Sequence, residues 1–152
     1  KTDRAIEFSK ILSDSSLRAP IRKDIRTEIW VKLMGNLALN SISALTSSSI
    51  QDIIDDHETK KLAINLMDET QNVANSLGIK MPISIEKRLQ GALEVGHHKT
   101  SMLQDIENGR NIELDSIVTA VKEMGILSKT PTPTIDIVHS LLAKKASILS
   151  CQ

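Results

Sequence analysis

The chain has 152 residues, enough for one domain with a real core, and its 19 basic and 19 acidic side chains cancel to a formal net charge of zero. Lys and Arg are scattered without long basic runs, which argues against nucleic acid or an anionic membrane as the main partner. No apolar stretch approaches the ~20 residues of a transmembrane helix, and the charged, amphipathic start does not resemble a signal peptide. The single Cys151 excludes an intrachain disulfide and fits a reducing compartment, so a cytoplasmic location is expected.

Taken in order, almost every segment predicts helix. Arg4 to Leu12 carries Ile6, Ile11 and Leu12 at loose helical spacing, and Pro20 then breaks the chain. Asp24 is a plausible N-cap, with Glu28 in the first turn, for a long helix running to about Leu45. Thr46 to Ser49 is a polar loop whose last serine can cap a short helix over Ile50 to Asp55. The next helix, His57 to Leu77, stacks Leu62, Leu66, Val73 and Leu77 and stops at Gly78. Pro82 and Ser84 open another that ends by Gly96, and a short helix from Met102 to Ile106 ends near Asn108-Gly109. Leu114, Ile117, Val118, Val121 and Met124 form a stripe closed by Gly125. Thr132-Pro133 places a cap residue before a proline at the first helical position, opening a last helix with Ile135, Val138, Leu141, Leu142 and Leu149. Strand alternation is missing, so residues 1–152 are expected to form one all-α domain.

Within the long helix, Lys32, Asn36 and Asn40 are spaced four residues apart among apolar neighbours at positions 29–31, 33, 34 and 37–39. At ~100° per residue they share an arc of roughly 80°, and Ser43 falls in the same arc. A lysine and two amides on a greasy helix either face water or line a polar site, and spacing alone leaves both open. In a site, the ammonium could polarise a carbonyl and deliver a proton to it, while the amides could bind hydroxyl or carbonyl groups.

A second cluster runs from His97 through Thr100-Ser101-Met102 to Asp105, followed by Gly109-Arg110 and Glu113 to Asp115. Thr100 or Ser101 can N-cap the short helix, and Glu113 and Asp115 oppose the next helix dipole. A hydroxyl and free N–H groups at a helix start can equally bind a carboxylate. Arg110 either touches a cofactor or braces the turn after Gly109, and bracing is favoured. His97 and His98 are adjacent, poor geometry for two ligands of one metal, so no metal site is expected, and Cys151 near the end of the chain is no nucleophile. The glycines offer no G-x-G and no G-x-x-x-x-G-K loop, so nothing here cradles a nucleotide by itself.

Trp30-x-Lys32-x-x-x-Asn36-x-x-x-Asn40, then Thr100-Ser101-Met102-x-x-Asp105 and Gly109-Arg110-x-x-Glu113-x-Asp115, resemble the carboxy-terminal domain of ketopantoate reductases (2-dehydropantoate 2-reductases), over essentially the whole chain. The resemblance implies a compact multi-helix fold like that domain in these and 6-phosphogluconate dehydrogenase-like enzymes. It implies reduction of 2-dehydropantoate to (R)-pantoate, a step of pantothenate and coenzyme A biosynthesis, with a small 2-oxo acid as substrate. It further implies Lys32 as proton donor, Asn36 and Asn40 lining the substrate site, Ser101 binding the substrate carboxylate, and Glu113 helping to hold substrate and orient the site. NADPH would be bound mainly by an amino-terminal Rossmann domain, which these residues lack. Because the chain starts at Lys1 rather than Met, it is expected to be a fragment, nearly inert by itself. A homodimer is compatible with the resemblance.

Two departures stand out. Ile112 replaces a threonine that commonly precedes the glutamate, and Gly125 to Pro131 is longer than the usual Gly-Ile-x-x-Pro. The alternatives are a relative acting on another 2-oxo or 3-hydroxy acid, and a non-catalytic helical interaction module. Ser101 and Glu113 beside the Lys/Asn stripe favour ketopantoate.

Overall fold

The structure, a computed structural model, describes residues 1–94 and 96–149, the side chain of Leu149 excepted. Among these residues there are nine α-helices, two π turns and no strand. The expected position of Cys151 lies outside them.

The long helix forms as one run. The Asp24 carboxylate accepts from the N–H groups of Arg26 and Thr27 at 3.1 and 3.2 Å, satisfying donors that the helix cannot pair internally. From this cap α2 (Ile25–Gly35) continues into a π turn (Asn36–Asn40) and then α3 (Ser41–Thr46). Leu37, Ala38, Leu39, Ile42 and Ala44 are all buried, so the π turn sits at the centre of the molecule. Ser49 and Asp52 build a reciprocal capping box for α4 (Ile50–Asp55). Next, α5 (His57–Ser76) lies along the π turn and also packs on α2, α8 and α9. Gly78, at φ +80°, ends it as expected. Leu77, stacked in sequence with Leu62, Leu66 and Val73, is 45% exposed because it is the C-cap residue, past the last helical turn.

Ser84 caps α6 (Ile85–Leu93), and Thr100, not Ser101, caps α7 (Ser101–Glu107). A second π turn (Asp115–Thr119) leads into α8 (Ala120–Ser128), and α9 (Pro133–Leu149) closes the chain. Gly125 does not end α8. It is buried inside that helix, where a Cβ would come within 2.8 Å of the Thr132 methyl and 3.1 Å of the Thr130 carbonyl. The stop falls at Lys129, φ 57°, with the Thr130 N–H returning to the Gly125 carbonyl at 2.9 Å.

Helix α9 begins at Pro133 as expected, but its first free N–H groups go elsewhere than Thr132. Thr134 and Ile135 donate to the Glu69 carboxylate of α5 at 2.8 and 2.9 Å. On its inner face Ile135, Val138 and Leu142 are buried, whereas Leu141 is 53% exposed. At the other end of the chain, α1 (Asp3–Asp14) forms with a Thr2 cap but buries no residue. Its expected apolar set is exposed at Ile6 and Ile11 and only partly covered at Leu12.

Candidate functional site

The π turn determines how the Lys32, Asn36 and Asn40 side chains line up. In an uninterrupted α-helix each step of four residues drifts by ~40° around the axis. A turn closed by i→i+5 bonds takes up more residues, so Asn40 is swung back toward the line of Lys32 and Asn36. Such turns inside α-helices are frequent at functional sites.

Burial grades along the stripe: Lys32 is exposed, Asn36 half-buried, and Asn40 only 7% exposed. None of the three makes a side-chain hydrogen bond or ion pair among the described residues, which leaves an ammonium and two amides unengaged along a single face. Lys32 is thus more open than its apolar neighbours suggest, and Ile25 and Ile29 are exposed too, because the first turns of α2 project beyond the core. Ser43 leaves the stripe. It is fully buried and its hydroxyl donates to the Ser48 carbonyl at 2.7 Å, fastening the turn after α3.

Ser101 is the first residue of α7, held by its neighbours. Thr100 is buried and its hydroxyl accepts from the Leu103 N–H at 3.3 Å, while Met102 and Leu103 anchor the helix in the core. Ser101 itself is exposed. Arg110 braces the following turn: its N–H meets the Asp105 carbonyl, and its Nε the Asp105 carboxylate, both at 2.8 Å. Glu113, exposed, precedes the second π turn, and its carbonyl accepts from the Ile117 N–H at 3.3 Å. Both α7 and the second π turn abut the first π turn. The fold therefore sets α7, which Ser101 opens, and the second π turn, which Glu113 precedes by two residues, against the interrupted helix that carries Lys32, Asn36 and Asn40.

One neighbour of the stripe escapes a sequence reading. The Arg88 guanidinium of α6 lies directly over Gly35, so a Cβ on Gly35 would overlap it. The available signal is Gly35 itself: a glycine inside a helix costs about 1 kcal/mol relative to alanine and invites a packing reason.

A hollow of about 350 Å³, lined by Arg110, Ile112, Leu114, Asp115 and Ala146 among others, includes neither the stripe nor Glu113. Lys32 instead lies on an open face. Among the described residues no group of three His, Cys, Asp or Glu side chains could hold a metal ion, and no helix is long and apolar enough to cross a membrane.

Fold and face together define an all-α domain built on a π-interrupted helix that offers a lysine and amides to one side. The family model described as ketopantoate reductase PanE/ApbA C terminal matches residues 24–146. The chain belongs to this family of ketopantoate reductase carboxy-terminal domains. It is 47% identical over 151 residues to a 2-dehydropantoate 2-reductase of Mesorhizobium japonicum, covering 99% of this chain and 46% of that protein. A second 2-dehydropantoate 2-reductase, of Pyrobaculum aerophilum, is 29% identical over 142 residues, 93% of this chain and 51% of the relative. The chain thus spans about half the length of the curated relatives it matches. The crystal structure of 2-dehydropantoate 2-reductase from Methylococcus capsulatus superposes with a TM-score of 0.91 over 98% of this chain and 52% of that one, and at 24% identity this likeness speaks for the fold.

Proposed function

We propose that this chain is the substrate-binding, proton-donating half of an NADPH-dependent 2-dehydropantoate 2-reductase, which reduces 2-dehydropantoate to (R)-pantoate. The observation that carries the reading is the unengaged Lys32 ammonium on one face with the Asn36 and Asn40 amides, in a chain of this family. An exposed site lysine suits a cleft completed by a second domain. The dinucleotide would be held there, since the sequence has no G-x-G loop to cradle its phosphates.

NADPH, when bound, supplies the hydride to the carbonyl carbon. The chain's own residues handle the rest. Lys32 Nζ gives its proton to the carbonyl oxygen, so negative charge does not accumulate there. Asn36 and Asn40 offer donors and acceptors that fix the carbonyl and hydroxyl groups. The Ser101 hydroxyl donates to the substrate carboxylate, and Glu113, an acceptor when ionised, takes a hydrogen bond from a substrate hydroxyl. These roles follow the family motif at the positions where this sequence matches it.

Lys32→Ala tests the reading in the complete protein with its nucleotide-binding domain. Loss of a positioned general acid lowers kcat by about 10²–10⁴-fold, while dinucleotide affinity stays unchanged. Steady-state kinetics on 2-dehydropantoate and a panel of other 2-oxo acids measures this. Unchanged turnover would remove Lys32 from the mechanism, and a clear preference for another oxo acid would reassign the substrate.

A further inference from the structure

Arg88 is half-buried and makes no ion pair and no side-chain hydrogen bond among the described residues. That is unusual for a guanidinium drawn out of water, which ordinarily meets a carboxylate or several carbonyls. Desolvation lowers its pKa from the ordinary arginine value, yet it stays protonated at neutral pH. Its place is specific. The guanidinium fills the space that Gly35 leaves by having no side chain.

Gly35 is three residues after Lys32, so the two positions are neighbours on the helix, with Cβ sites ~5–6 Å apart. Around the axis Gly35 falls ~60° from Lys32, on the side away from Asn36. Gly35, with the Arg88 guanidinium over it, therefore flanks Lys32 on one side of the helix, and Asn36 flanks it on the other. A 2-oxo acid carries its carboxylate on the carbon next to the carbonyl. A group that protonates the carbonyl thus leaves the carboxylate beside it, within reach of a flanking cation. Arginine is suited to that role, since its planar fork takes both carboxylate oxygens at once.

Resting on the reading of the Lys32 face as an oxo-acid site, we propose that Arg88, seated over Gly35, is a specificity-determining residue that binds the carboxylate of the 2-oxo acid alongside Lys32. The glycine is the other half of the device, because any side chain there displaces the guanidinium.

Two variants separate this role from packing between α2 and α6. Arg88→Met keeps the apolar stem and removes the fork. Gly35→Ala keeps the arginine but pushes its mobile end aside, and the added Cβ favours the helix. Loss of a charged hydrogen bond raises KM for the oxo acid by about 10–100-fold in each variant, with kcat changed far less and thermal stability kept. The double variant is no worse than either single one. Both variants also lose the preference for a 2-oxo acid over its methyl ester, which has the same carbonyl but no charge.

The same proteins are titrated with oxalate, a non-reducible carboxylate, and binding is followed by titration calorimetry. This arm needs no turnover. If the unsubstituted protein reduces no 2-oxo acid, the proposed function fails, while weakened oxalate binding in both variants still supports Arg88. Unchanged KM and unchanged oxalate binding in Arg88→Met overturn the inference. So does a rise in the NADPH KM alone, which would assign the arginine to the dinucleotide phosphates.

Discussion

Two backbone N–H groups at the start of α9 are satisfied by one carboxylate from another helix, Glu69 of α5, through bonds of 2.8 and 2.9 Å. A lost N-cap typically costs ~0.5–2 kcal/mol, and here both bonds are charge-assisted, which places the effect at the upper end. Glu69→Ala is therefore expected to destabilise the domain by about 2 kcal/mol, a fall of roughly 4–8 °C in Tm at this chain length. Glu69→Gln keeps one oxygen acceptor and should cost less. Calorimetry on the two variants checks the order, and equal melting of Ala and wild type would remove Glu69 as a cap. This contact joins residues more than sixty positions apart, so nothing local announces it. The same distinction runs through the candidate site. Lys32, Asn36 and Asn40 are readable from the sequence because four-residue spacing on a helix is a local rule. Ser43 falls in the same arc yet turns inward, since the Ser48 carbonyl offers its hydroxyl a partner across a turn. Arg88 is silent in sequence because its relation to Gly35 is made by the packing of α6 on α2.

Helix starts are readable for a related reason: an N-cap is chemistry within three residues. Asp24, Ser49 and Ser84 all fall where side-chain type places them. The π turns are not, because an apolar run such as Leu37-Ala38-Leu39 looks buried under either periodicity, and one extra residue per turn changes no composition. The caps also carry a pH dependence. Hydrogen bonds from the Thr27 hydroxyl and then its N–H hold Asp24 below the usual carboxylate range. The Ser49 hydroxyl and N–H do the same for Asp52, and the N–H and hydroxyl of Thr59 for Asp56. A carboxylate more acidic in the folded than the unfolded chain contributes stability that is complete above its unfolded pKa and drains away as pH falls through the folded value. The urea midpoint should therefore be flat from neutrality to about pH 5 and fall below about pH 4. Asp52→Asn should make that acid limb shallower, because the amide can no longer gain from ionising. An acid limb identical to wild type would mean that the α4 cap makes no contribution to the pH response.

On the scale of the whole molecule, the core and the amino-terminal helix are unequal partners. Every residue of the buried cluster lies between Trp30 and Leu142, whereas α1 buries none of its own. The family match begins at residue 24, the N-cap of α2, so α1 also lies outside the part that defines the family domain. What ties the first 22 residues to the rest is weak. The Arg22–Glu28 pair, 3.5 Å apart and half-exposed at both ends, is worth at most ~1 kcal/mol. A bond from the Ser9 hydroxyl to the Ala19 carbonyl, 2.6 Å, closes within the segment. The groove between α1 and the start of α2 reaches Ile25, which is still 60% exposed, so little apolar burial is at stake. Removing residues 1–22 should therefore leave a cooperative unfolding transition with Tm changed by no more than about 2–4 °C. It should also reduce binding of a hydrophobic dye, since Ile6, Phe8, Ile11 and Leu17, all about half-exposed or more, go with the segment. Calorimetry and dye fluorescence on the shortened and full chains decide the matter. A large drop in Tm or a broadened transition would show that α1 supports the core, contrary to its exposed packing.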